Sequence, residues 1–137
     1  DPSGTGEILG PKYFKEFAVT YLNKLLEGLQ TVGLGTIVHI CGHMGSVYNE
    51  INEVKSSVLS FDSVVPMKEA RAHLKDRVLM GNVSTYTLEF GEPERVALLT
   101  KNCVKNGSDI ISPACGLGMK SPIKNIQAIL KFLSEEA

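Results

Sequence analysis

Apolar residues recur at three- and four-residue steps along Phe14, Phe17, Ala18, Tyr21, Leu22, Leu25, Leu26 and Leu29. That spacing predicts a helix with one apolar face over about five turns. Gly10-Pro11 is its expected start, because proline suits a first helical turn, and Gly33 and Gly35 its end. Four short apolar runs follow at 36–41, 58–62, 77–83 and 109–115. Each has strand length and is rich in β-branched residues or leucine. Helical patterns lie between them at 47–54, at 66–75 with Ala70 and Leu74 inward, and at 93–105 with Val96, Leu99 and Cys103 on one stripe. The last helix is expected to begin at Ser121-Pro122, a capping residue followed by proline. Its inward stripe reads Ile123, Ile126, Ile129, Leu130 and Leu133.

A helix followed by four strand–helix units implies right-handed crossovers and a parallel sheet. The chain reads as a single unit over residues 1–137, with no internal repeat or linker. Two α/β architectures fit: an open doubly wound sheet, or part of a (β/α)8 barrel. Gly33-Leu34-Gly35 precedes the first strand instead of following it, so it is no dinucleotide-binding loop, and no P-loop pattern is present. Both architectures place their sites at the C-terminal ends of the strands. The polar residues of this sequence collect there.

Composition narrows the classes of function. Hydrophobic residues make up 43% and charged residues 21%, a globular balance. The net charge of −1 gives no electrostatic footprint for nucleic acid. No basic run marks a membrane surface, and no apolar stretch is long enough to cross a bilayer. Residues 1–6 lack the basic and apolar regions of a signal peptide, so a cytoplasmic protein is expected. The three cysteines, Cys41, Cys103 and Cys115, suggest reduced thiols with metal-binding or packing roles rather than a disulfide scaffold.

Strand alternation puts Ile37, His39 and Cys41 on one face of the first strand, with Val38 and Ile40 turned towards helices. The later runs end in Ser60-Phe61-Asp62, Gly81-Asn82 and Ser112-Pro113-Ala114-Cys115. Neighbouring parallel strands bring these ends around one mouth. One imidazole and two thiolates then suit zinc, leaving a position for carboxylate, water or substrate. Each residue alone reads better as a core or surface residue. The combination of His-x-Cys at one strand end with Cys at another points to a metal.

These residues resemble the uroporphyrinogen decarboxylase-like superfamily, and within it the zinc-dependent methylcobamide:coenzyme M methyltransferases. The text that carries the resemblance is Asp1-Pro2, Leu9-Gly10-Pro11-Lys12, His39-Ile40-Cys41-Gly42, Leu59-Ser60-Phe61-Asp62, Gly81-Asn82-Val83 and Ile111-Ser112-Pro113-Ala114-Cys115-Gly116. It implies the C-terminal half, strands five to eight, of a (β/α)8 barrel, with Asp1-Pro2 closing strand four. It implies His39, Cys41 and Cys115 as zinc ligands, and Asp62 as an acidic residue able to bind the metal in one state. It also implies methyl transfer from a methylated corrinoid carried on a partner protein to a small thiol such as coenzyme M. A free thiol, with a pKa of about 8.5, is mostly protonated at neutral pH, whereas coordination deprotonates it and keeps the sulfur nucleophilic. Decarboxylases proper share the framework and need no metal. A metal-independent uroporphyrinogen decarboxylase-type enzyme and a non-catalytic half-barrel partner subunit are therefore the alternatives.

The remaining candidates divide. His43, at the mouth, is either a substrate contact or a loop histidine. Asn82 is a substrate-binding group, a polar residue behind the ligands, or a turn former. Cys103 reads as a core cysteine and His73 as solvated. Asp1 would stand at the rim of the site. Four βα units expose two parallel edges, so the expectation is pairing with a missing N-terminal half-barrel, pairing with a second copy, or flattening into an open sheet covered by its helices.

Overall fold

The hydroxyl of Thr5 caps the first helix, accepting the Ile8 N–H at 3.4 Å. The computed structural model describes residues 5–136, so Asp1-Pro2, with the strand end and rim position expected of it, lies outside the described residues. The helix α1 (Gly6–Tyr13) starts earlier than Gly10-Pro11. Gly10 interrupts it at φ 67°, and the helix resumes at Pro11. A π-helical turn (Phe14–Val19) and α2 (Thr20–Leu29) follow.

That π turn explains why the expected apolar face is only partly buried. The Thr20 N–H bonds the Lys15 carbonyl, five residues back, and its hydroxyl bonds the same carbonyl at 3.0 Å. The extra residue turns the buried stripe onto Phe14, Val19 and Leu26. Phe17, Tyr21, Leu25 and Leu29 stay exposed.

Three parallel strands follow in the order β1 (Ile37–Ile40), β2 (Val58–Phe61), β3 (Val78–Met80). The connecting helices are α3 (Tyr48–Asn52) after β1 and α4 (Met67–His73) after β2. In register, Val38 pairs with Leu59, His39 with Ser60, and Ile40 with Phe61. Val38, Ile40, Leu59, Phe61 and Leu79 are buried in one core with Phe14, Val47, Ile51, Ala70 and Leu74. His39 and Ser60 therefore share the opposite face. His73 is exposed, yet its ring stacks on Tyr48 at 4.6 Å.

The fourth run, 109–115, lies parallel beside β3 through isolated pairings, Met80 with Ile110 and Val83 with Pro113. The two pairings share one register, but no Ser112 N–H to Gly81 carbonyl bond joins them into a continuous ladder. The Val83 N–H bonds the Ser112 carbonyl at 3.0 Å and the Ala114 N–H returns to Val83 at 2.8 Å, so the run stays anchored as far as the residue before Cys115. Neighbours in the sheet thus follow chain order without reversal, unlike a doubly wound sheet.

Between β3 and the fourth run come α5 (Thr85–Phe90), which the apolar pattern did not reveal, and α6 (Pro93–Lys105). The Ser84 hydroxyl caps α5 by accepting the Thr87 N–H. The last helix, α7 (Ile123–Glu136), buries Asn125 and Ile129, while Ile123 and Leu130 are exposed, against expectation. Asn125 is the cause. Its amide donates to the carbonyls of Leu88 and Gly91 at 3.0 and 2.9 Å, and this sets the rotation of the helix. Ile123 and Leu130 then lie about 120–140° from the centre of the buried face. Ile129 joins Val83, Leu88, Val96 and Cys103 in a second core. No helix among the described residues is long and apolar enough to cross a membrane.

Arg71 ties this second part to the first. Its guanidinium donates to the carbonyls of Leu74, Lys75, Arg77 and Gly107 and to the Asp109 carboxylate, which also accepts the Leu79 N–H. Arg71→Ala leaves several part-buried carbonyls unpaired, and the expected loss is about 2 kcal/mol by chemical denaturation. Arg71→Lys should recover little of it, because an ammonium cannot span the same fork.

Candidate metal centre

Three strand-end side chains meet. His39 leaves β1 on the face away from the core, Cys41 follows two residues later, and Cys115 closes the fourth run. His39 Nε2 stands 3.2 Å from Cys41 Sγ, and Cys41 Sγ stands 3.6 Å from Cys115 Sγ across 74 residues of sequence. The three donor atoms all lie within 4.8 Å of one another. A tetrahedral zinc with metal–sulfur bonds of about 2.3 Å and a metal–nitrogen bond of about 2.0 Å needs edges of about 3.8 Å between sulfurs and about 3.5 Å between sulfur and nitrogen. The observed separations match a common centre. His39 and Cys41 are half-buried and Cys115 is exposed, so the cluster has an open side.

Burial lowers the His39 pKa, opposed by the nearby Asp62 carboxylate. Burial, followed by the neighbouring Cys115, raises the Cys41 thiol. The pocket thus favours an uncharged imidazole and disfavours an uncompensated thiolate. A divalent cation would supply that compensation.

Asp62 stands outside this three-residue group. One carboxylate oxygen accepts the Gly42 N–H at 3.1 Å, and the other accepts the Ser63 hydroxyl and the Val64 N–H. Burial works to raise its pKa, but these hydrogen bonds, with Gly42 foremost, hold it below the ordinary value. Asp62 therefore anchors the turn directly after Cys41.

Asn82 is engaged internally as well. Its amide donates to the carbonyls of Asp62 and Val65, both at 2.8 Å, and its oxygen accepts the Cys103 thiol. In this arrangement it braces the loop that carries Asp62, and no amide proton is left for a ligand. Cys103 is a core cysteine, 6% exposed, whose one polar link is to Asn82. His43 is exposed at the mouth, one residue beyond Gly42.

Ser60, named in the sequence only as part of a strand end, stands directly against the cluster. Its hydroxyl lies 3.0 Å from His39 Nδ1, on the ring edge opposite the sulfurs. What the sequence does not contain is the register that sets Ser60 beside His39.

A chain-ordered parallel sheet with thiol and imidazole side chains at its strand ends defines an α/β protein with a candidate metal centre at the C-terminal ends of its strands. The chain belongs to the uroporphyrinogen decarboxylase (URO-D) family, whose model matches residues 1–135. It is 26% identical over 132 residues to the methylcobamide:CoM methyltransferase MtbA of Methanosarcina acetivorans, covering 96% of this chain and 39% of that protein. It is 27% identical over 138 residues to the methylcobamide:CoM methyltransferase MtaA of Methanosarcina barkeri, covering 98% of this chain and 40% of the relative. A solved methyltransferase from Methanosarcina mazei superposes with a TM-score of 0.88 at 24% identity, over 99% of this chain and 40% of that one. The chain therefore spans about two fifths of the length of the relatives it matches.

Gly42 is the strictest backbone requirement near the cluster. Its φ is 81°, and a Cβ there would lie 2.6 Å from the Thr5 methyl. Gly42→Ala should cost about 1–2 kcal/mol from the left-handed backbone, with the clash added. Thr5→Ser keeps the capping hydroxyl and removes the methyl. Combined with Gly42→Ala, it should recover the clash but not the backbone component, as read from thermal melts of the four proteins.

Proposed function

We propose that this chain carries the metal-binding half of a corrinoid-dependent methyltransferase. It would move a methyl group from a methylated corrinoid protein to a small thiol of the coenzyme M type. The observation that carries the proposal is the convergence of His39 Nε2, Cys41 Sγ and Cys115 Sγ within 4.8 Å. Two thiolates and an imidazole fit zinc in charge, softness and spacing. Zinc bound there would supply Lewis acidity that turns an incoming thiol into a nucleophilic thiolate. The chain's own residues hold and orient. His39 and Cys41 come from one strand end, so their placement is local. Cys115 is delivered by the pairing of 109–115 with β3 and its flank. Asp62 fixes the turn after Cys41, and Asn82 fixes the loop bearing Asp62. The exposed side of Cys115 and His43 faces the mouth, where the thiol and the corrinoid would enter. The relatives, methylcobamide:CoM methyltransferases, support the donor and the acceptor.

The second element of the proposal is architectural. The four parallel units correspond to strands five to eight of a (β/α)8 barrel, and the complementary half completes the substrate pocket. The relatives' greater length and the match at TM-score 0.88 support this. So does the exposed stripe Phe17, Tyr21 and Leu25, an apolar surface suited to packing. The cytoplasm is the proposed location.

Zinc titration against a chromophoric chelator tests the metal centre. One equivalent should bind the unaltered chain. Cys41→Ala and Cys115→Ala should each weaken binding by at least about a hundredfold, whereas Asp62→Ala should weaken it far less, since no ligand atom is lost. Binding untouched by either cysteine replacement would sink the site. Methyl transfer from methylcobalamin to coenzyme M, followed by the corrinoid spectrum in the full-length protein, tests the reaction.

A further inference from the structure

We infer that Ser60 is a positioning residue for the metal, fixing which nitrogen His39 presents; the inference rests on the metal-centre reading above. An imidazole on a strand turns about two side-chain torsions, and the second is broad. Without a partner on the ring, Nδ1 and Nε2 compete for the metal. Here β1 and β2 pair so that His39 and Ser60 are direct neighbours on the same face. The Ser60 hydroxyl is 3.0 Å from Nδ1, which leaves Nε2 on the sulfur side, 3.2 Å from Cys41. Ser60 is 5% exposed, so water does not readily replace it.

The residue type fits the task. A hydroxyl both donates and accepts. With Nε2 protonated and directed at the Cys41 sulfur, Ser60 donates to Nδ1. With Nε2 given to a metal, Nδ1 carries the proton and Ser60 accepts it. A carboxylate could only accept, and would add negative charge beside two thiolates. Serine therefore serves both tautomers without changing the charge of the site. Partners of this kind typically account for about 10- to 100-fold in metal affinity.

The experiment compares zinc affinity, by chelator competition, for the unaltered chain, Ser60→Ala and Ser60→Thr. It adds nitrogen-15 NMR of the His39 ring in the unaltered, zinc-loaded chain. Ser60→Ala should bind zinc about 10- to 100-fold more weakly, with Ser60→Thr recovering most of the loss. The ring should show a metal-bound Nε2 and a protonated Nδ1. Equal affinity for Ser60→Ala, or zinc on Nδ1 in the unaltered chain, overturns the inference while leaving the metal centre standing. The NMR arm decides even where a variant fails to fold. A chain that takes up no zinc overturns the metal-centre reading and this inference together.

Discussion

Parallel pairing in register is the constraint on which the rest of the molecule depends. It sets the ends of β1, β2 and the run 109–115 at one height, and it decides what each strand residue faces. Val38, Ile40, Leu59 and Phe61 are committed to the helices. His39 and Ser60 are thereby committed to the other face. A slip of one residue between β1 and β2 would bury the imidazole in the core and expose Ile40. The hydrophobic core thus acts as the clamp that aligns the donor atoms.

Around this clamp the polar residues form a relay of supports rather than a set of separate contacts. Cys103 on α6 touches Asn82, Asn82 holds the loop of Asp62, and Asp62 holds Gly42 beside Cys41. The first link lies within the unit of β3 and α6, and the next two cross to the units of β2 and β1. A disturbance on α6 therefore reaches a donor sulfur through three hydrogen-bonded steps. Arg71 performs the corresponding task at the other end of the sheet, gathering carbonyls from two segments.

Much of this was legible in the sequence, and what escaped has physical causes. The strand runs and α6 stood out because one period dominated each. The stripe from Phe14 to Leu29 misled because a π turn adds a residue that periodicity cannot anticipate. The run 109–115 looked like a strand from its apolar residues, while its bonds to β3 and its flank form two isolated pairings. In α7 a buried asparagine, not an isoleucine, set the rotation, since two unpaired carbonyls at the end of α5 outweighed the burial of Ile123 and Leu130. His39, Cys41 and Cys115 were identifiable from residue type and strand-end position. The engagements of Asp62 and Asn82 were not, because their partners come from loops whose approach is a tertiary fact.

The closeness of the two sulfurs has a further chemical consequence. At 3.6 Å, Cys41 and Cys115 form a vicinal dithiol with one member exposed. A disulfide requires about 2.05 Å, so only a modest approach separates the reduced pair from a covalent bond. Two-electron oxidation would therefore consume both thiolates in one event and leave the imidazole as the remaining donor of the three. Formation of that bond removes both sulfurs as donors together in each molecule where it occurs.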